Sequence, residues 1–189
     1  QALNFDIRTI GNHDFGYGET TVLRDVRLST PPVLAANLRD PRVNAAKQPF
    51  RPYARFDIGC VKVGVIGLIT QNYGADDQPN ATPFDDVFIQ DRSYAAALDR
   101  AAKLHRSEVD VLIALTHLGY VDDLALARKV ASVDFVIGGH SEDTLKEPGT
   151  VLHPPGKAKT YILQAGHFAE KIGHGDVVVN LKEPRNVTF

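Results

Sequence analysis

Three histidines in this chain of 189 residues stand at the carboxyl ends of apolar runs, each within two residues of a glycine. Gly11-Asn12-His13-Asp14-Phe15-Gly16-Tyr17-Gly18 follows the run 5–10 and packs an amide, an imidazole and a carboxylate into one glycine-bounded turn. Val111-Leu112-Ile113-Ala114-Leu115-Thr116 leads into His117-Leu118-Gly119, and Phe135-Val136-Ile137 leads into Gly138-Gly139-His140-Ser141-Glu142. Imidazole nitrogens and an amide oxygen are hard or borderline donors, so Asn12, His13, His117 and His140 together suit an ion of the zinc, manganese or iron kind. Cys60 is far from all three turns in sequence, which argues against thiolate chemistry. A single histidine after a strand is commonly a hydrogen-bonded structural residue. Three such turns with glycine neighbours ask for more than packing, because glycine is required where a backbone bends sharply or approaches a ligand closely.

The elements that must carry these turns are read from periodicity and breakers. Residues 6–10 read as a short strand and 19–28 as a helix, begun after Gly18 and stopped by Ser29-Thr30-Pro31-Pro32. A strand is expected over 33–37, followed by a proline-rich surface excursion over 39–52. Residues 53–58 and 61–69 are β-rich and meet at Gly59-Cys60, which predicts a hairpin with a buried second arm and Cys60 as a small buried residue. Residues 71–90 read as a polar loop and 93–108 as an amphipathic helix. Strand 109–116, helix 122–132 with Asp122 or Asp123 as its cap, and strand 134–137 then alternate. A polar loop over 142–159, which contains His153, and final strands over 160–164 and 176–181 complete the pattern. Strand and helix units with late antiparallel strands predict an α/β or α+β layered domain, in which ligands gather at the carboxyl edge of the sheet.

Composition excludes several function classes. A formal net charge of −2, with lysines and arginines dispersed, gives no footprint for a nucleic-acid partner. No apolar run approaches the roughly 20 residues a membrane span needs. The length and the 43% hydrophobic content suit a single domain over residues 1–189. Of the other histidines, His105 is placed on a charged helix face and His174 beside the last hairpin, while His167, after Gln164-Ala165-Gly166, could approach the turns.

With these residues in place, the chain resembles the calcineurin-like metallophosphoesterases in the form of their 5′-nucleotidase branch. Gly11 to Gly18 is similar to the family's Gly-Asn-His-Glu/Asp turn, and Thr116-His117-Leu118-Gly119 and Gly138-Gly139-His140-Ser141 are similar to its two later metal motifs in order and spacing. Tyr161 to Gly166 with Lys171-Ile172-Gly173 resembles the branch's closing strands. The resemblance implies a four-layer α/β/β/α sandwich and a centre of two divalent metal ions, of the zinc, manganese or iron type, that hydrolyses a nucleotide or other phosphomonoester with an activated water. It implies Asn12, His117 and His140 as ligands of one ion, Glu142 where the branch places Gln or His as a ligand of the other, and His13 as the group that stabilises the transition state or protonates the leaving alkoxide. Asn37 matches an asparagine behind the site and is assigned to the substrate side, with a turn role as its alternative. Asp14 is either the family's acidic residue or a helix cap. The resemblance also implies a periplasmic or extracellular setting.

Three departures qualify the match. Gly16 stands where the branch carries the aspartate that orients the catalytic imidazole. The acidic Asp-x-His and Gly-Asp motifs, expected before the Asn-His turn, and a carboxy-terminal nucleoside-binding domain lie outside these residues. On that reading this piece holds at most one metal ion. A binding module of the same fold without catalysis, and a related two-metal hydrolase of sulfur esters, are the alternatives. A dinucleotide-binding reading of Val63-Gly64-Val65-Ile66-Gly67 is weak because the glycine spacing before a helix is missing.

Overall fold

A computed structural model describes residues 4–71, 88–91, 93–154, 157–182 and 186–189. Its centre is a six-stranded mixed sheet built from β4 (Tyr53–Ile58), β5 (Val61–Ile69), β7 (Val111–His117), β8 (Phe135–Ile137), β10 (Lys157–Leu163) and β9 (Gly149–His153), in that spatial order. β5, β7, β8 and β10 run parallel, and β4 and β9 close the two edges antiparallel. This is the expected α/β architecture. The crossovers carry α2 (Tyr94–His105) between β5 and β7 and α3 (Tyr120–Lys129) between β7 and β8. Both helices pack on one face, where Leu98, Ala101 and Ala102 of α2 and Leu126 and Ala127 of α3 meet Ile66, Leu68, Leu112, Ala114, Val136 and Ile162 of the sheet. Ser93 caps α2 by accepting a hydrogen bond from the Ala96 amide at 3.3 Å.

A second core lies under the amino-terminal part. β1 (Arg8–Thr9) pairs parallel with β2 (Val33–Leu34), and α1 (Glu19–Leu28) crosses between them. Phe15, Phe50 and Phe88 form a cluster of tilted and edge-on rings with centroids 5.6–6.5 Å apart, packed with Ile10, Val22, Val33 and Ile69. A short antiparallel pair, β3 (Leu38–Arg39) with β6 (Ile89–Gln90), and a hairpin of β11 (Val178–Asn180) with β12 (Asn186–Thr188) complete the described elements. The sheet face away from α2 and α3 carries Val63, Ile113, Ile137 and Leu163, over which Ile172, Val177 and Phe189 leave an apolar cavity of about 720 Å³.

Several expectations need correction. Cys60 is exposed, because it forms the outer corner of the β4–β5 turn beside Gly59, whose φ is +60°. The loop expected over 142–159 contains β9 and the start of β10. Its His153 is buried in β9 rather than lying in a loop, and its Nε2 is 2.9 Å from Thr160 Oγ1 on β10, a structural role. The excursion over 39–52 is anchored inward by Phe50, at 2% exposure, and by Asp40, which Arg42 grips through Nε and Nη2 at 2.8 and 2.7 Å. α3 begins two residues earlier than expected, with Gly119 at its cap position, and neither Asp122 nor Asp123 caps it. The polar stretch 71–90 lies mostly outside the described residues. Gly64 and Gly67 sit inside β5 rather than in a phosphate-binding turn. A methyl at position 67 would fall 2.3 Å from Leu34 Cβ, so this glycine exists to let β2 cross the sheet.

Candidate functional site

The turn after β1 is a 3₁₀ helix, Asn12–Tyr17, held at both ends. Asp14 Oδ2 accepts from the Gly11 amide at 2.8 Å, Phe15 is sunk in the aromatic cluster at 1% exposure, and the Gly18 amide donates to the Phe15 carbonyl at 2.9 Å. Asp14 thus closes its own turn rather than capping α1. Pinned in this way, the turn buries Asn12 and leaves His13 exposed at its tip. Gly16 has φ outside the left-handed region and open space around its Cβ position.

β7 and β8 deliver the other histidines. His117 is the last residue of β7, and its Nε2 lies 2.9 Å from Asn12 Oδ1 across a sequence separation of 105 residues. Its ring is wedged between two glycines: a methyl at position 11 would come 2.9 Å from Nε2, and one at position 139 would come 3.4 Å from Nδ1. His140, three residues past β8, brings its ring centroid to 5.1 Å from that of His117. Burial above all, then the nearby His140 and His13 imidazoles, push the His117 pKa down to about 4. The ring is therefore neutral at physiological pH, the form that donates a lone pair to a metal.

Asn12, His13, His117, Gly119, Tyr120, His140, Glu142 and the segment Gly166-His167-Phe168 border one open cavity of about 900 Å³. The structure thus brings together Asn12, His13, His117, His140 and Glu142. Asn37 is not among the residues around it. Its amide clamps the backbone of Ile69, donating to the Ile69 carbonyl at 2.7 Å and accepting from the Ile69 amide at 3.0 Å. His167, unassigned from sequence, does reach the rim, with Nδ1 3.4 Å from Glu142 Oε2. His105 stays away, stacked on Tyr53 with centroids 3.8 Å apart.

Backbone strain gathers at this cavity too. Every non-glycine residue with positive φ among the described residues, His140, Glu142, Phe168 and Ala169, lies on or beside its rim. Each such conformation costs about 1 kcal/mol or more and persists where packing enforces it. The sequence signal for these positions is the glycine pair before His140 and the glycine before His167.

No three His, Cys, Asp or Glu side chains among the described residues converge closely enough to hold an ion by themselves. The donor set that the resemblance implies, Asn12, His117 and His140, adds an amide oxygen to two imidazoles and so lies outside that count. Asn12 Oδ1 and His117 Nε2 meet at 2.9 Å in a hydrogen bond that the imidazole N–H donates, and the two atoms are an oxygen and a nitrogen of the kinds that a zinc- or manganese-type ion takes as donors. The residues fit a divalent metal on that count and on the neutrality of His117.

No family model matches the chain. Protein UshA of Yersinia enterocolitica is 29% identical over 211 residues, which take in 99% of this chain and 38% of that protein. The 5′-nucleotidase precursor of Thermus thermophilus superposes with a TM-score of 0.71 at 28% identity, over 85% of this chain and 33% of that one. In sequence and in fold the chain is similar to the 5′-nucleotidase branch of the calcineurin-like phosphoesterases. The calcineurin-like phosphoesterase YfkN of Bacillus subtilis shares the fold, with a TM-score of 0.62 at 24% identity over 77% of this chain and 48% of that one. The chain spans well under half the length of the curated relatives it matches.

Proposed function

We propose that this chain supplies one half of the catalytic centre of a metal-dependent phosphoesterase that hydrolyses nucleotide phosphomonoesters. The observation that carries the reading is the meeting of Asn12 Oδ1 and His117 Nε2 at 2.9 Å beside His140, with His13 exposed at the same mouth. Asn12, His117 and His140 would hold one divalent ion, and Glu142 would face a second. Bound divalent cations supply Lewis acidity that polarises phosphoryl oxygens and draws an attacking water toward hydroxide.

The chain's own residues do the rest. Gly11 and Gly139 fix the His117 ring, and burial keeps that ring neutral so that its lone pair is available. His13, one residue along the turn from Asn12 and free to reach solvent, is positioned to donate a proton to the leaving alkoxide. Asn37 acts from behind by holding the end of β5, next to Thr70, whose amide donates to the His117 carbonyl at 2.9 Å. No helix among the described residues is long and apolar enough to cross a membrane. A periplasmic or extracellular setting is part of the proposal, carried by family resemblance.

Equilibrium dialysis against Mn²⁺ or Zn²⁺ with elemental analysis tests the reading. One ion per chain is expected, lost in His117→Ala and His140→Ala and kept in His105→Ala, with little turnover of AMP or p-nitrophenyl phosphate by the chain alone. Equal metal content across the variants overturns the ligand assignment. Two ions per chain with phosphatase-like turnover overturns the half-centre reading, and one ion in a longer active-site assembly without any hydrolysis favours a binding module.

A further inference from the structure

Behind the histidines sits a carboxylate that the proposed chemistry does not use. Asp123, in the first turn of α3, is only 1% exposed. Burying a carboxylate costs several kcal/mol unless something offsets it, and an apolar residue would pack α3 against the sheet without that cost. Its two oxygens do different things. Oδ1 accepts from Thr116 Oγ1 at 2.7 Å. Oδ2 is buried without a hydrogen-bond partner and presses on Gly138, where a methyl would fall 2.0 Å from it.

Both contacts fall just upstream of a proposed ligand. Thr116 immediately precedes His117, and Gly138 stands two residues before His140. The same helix start stitches the two loops directly: the Gly119 amide donates to the Gly139 carbonyl at 2.9 Å and the Tyr120 amide to Ser141 Oγ at 2.9 Å, while the Asp123 amide closes the first helical turn on the Gly119 carbonyl at 2.9 Å. The positive end of the helix dipole at this turn favours an acidic side chain over a neutral one. We propose that Asp123 is a positioning residue, a buried wedge between β7 and β8 that sets the spacing of His117 and His140.

The inference rests on the reading of those histidines as ligands, and the test separates the two. Two readouts are taken on the 189-residue chain: Zn²⁺ affinity by isothermal titration, and the imidazole NMR signals of His117 and His140 in metal-free protein. Asp123→Ala and Thr116→Val should each weaken Zn²⁺ about tenfold, the lower end of the range for groups that orient metal ligands, and should shift the two imidazole signals. Asp123→Asn, which keeps the shape and the Oδ1 acceptor, should restore both, and Asp99→Asn on the outer face of α2 should change neither. Thr116→Val removes a single hydroxyl and decides the matter alone if Asp123→Ala does not fold. Wild-type Zn²⁺ affinity and unmoved imidazole signals in Thr116→Val overturn the proposal, as does equal loss in the Asn and Ala variants. A wild-type chain that binds no Zn²⁺ while the imidazole signals still respond to Asp123→Ala overturns the metal reading and leaves the wedge standing.

Discussion

Gly11 lies flat against the imidazole of His117, so close that a methyl on its α-carbon would sit 2.9 Å from Nε2 and 3.0 Å from Cε1. The first glycine of the Asn-His turn is thus a spacer for a histidine more than a hundred residues away. Gly11→Ala should push the ring by a few tenths of an ångström and weaken Zn²⁺ binding about tenfold, while thermal unfolding of the metal-free chain changes little. Titration calorimetry beside a melting curve checks this, and unchanged affinity would show that the ring tolerates the displacement.

His13 should be separable from metal binding. In a hydrolytically active protein containing this domain, His13→Asn is expected to lower kcat by roughly 10²–10⁴-fold, the usual effect of removing a positioned acid or base, with metal content unchanged. Loss of metal in that variant would make His13 a ligand. Gly16→Asp is a companion test: the position is sterically open and not left-handed, so the added carboxylate should fold and raise the pKa of a nearby imidazole. Its signature is an upward shift of the basic limb of the pH–rate profile, and an unmoved limb would remove the case for a missing dyad partner.

Gly67→Ala should damage the fold and not the site chemistry directly. The methyl would overlap Leu34 Cβ at 2.3 Å and the Leu34 carbonyl carbon at 2.6 Å. Overpacking of this sort costs about 1–3 kcal/mol, read as a lower urea midpoint. A midpoint equal to wild type would mean that β2 can move away freely.

Among the groups that make stability of the metal-free chain respond to pH, His117 and Asp123 act with opposite sign. His117 has a folded pKa of about 4 against an ordinary 6.5, so between those values the unfolded chain binds the extra proton and stability falls as pH drops. Asp123 is pushed by burial up to about 7 from 3.8, so in that window the folded chain holds the extra proton and stability falls as pH rises. Asp123→Asn removes the second effect. The stability of that variant relative to wild type should therefore climb with pH between 4 and 7, by up to about 1.4 kcal/mol per pH unit. Urea titrations at pH 4.5, 5.5 and 6.5 check it, and a flat difference would mean that Asp123 ionises normally.

Local patterns determine much of this protein from sequence alone. The hairpin over 53–58 and 61–69, the helix over 19–28, the strand that ends at the second histidine and the three glycine-flanked turns are all legible, because period-two burial, helical spacing and glycine breakers are written within a few residues of where they act. The turns also identify Asn12, His117 and His140 as candidates that converge, and the structure places them around one mouth. Tertiary structure alone decides the rest. Whether a stretch such as 149–153 pairs as a strand depends on β10 offering an open edge, and whether Cys60 is buried depends on which way a two-residue turn faces. Asn37 reads from sequence as a group on the substrate side or as a turn residue, and the fold puts its amide on the backbone of Ile69. From sequence Asp122 or Asp123 reads as the helix cap, since short acidic side chains favour helix starts. The burial of Asp123 between Thr116 and Gly138 follows from the packing of α3 across two strands, a contact between residues whose sequence separations carry no periodic signal.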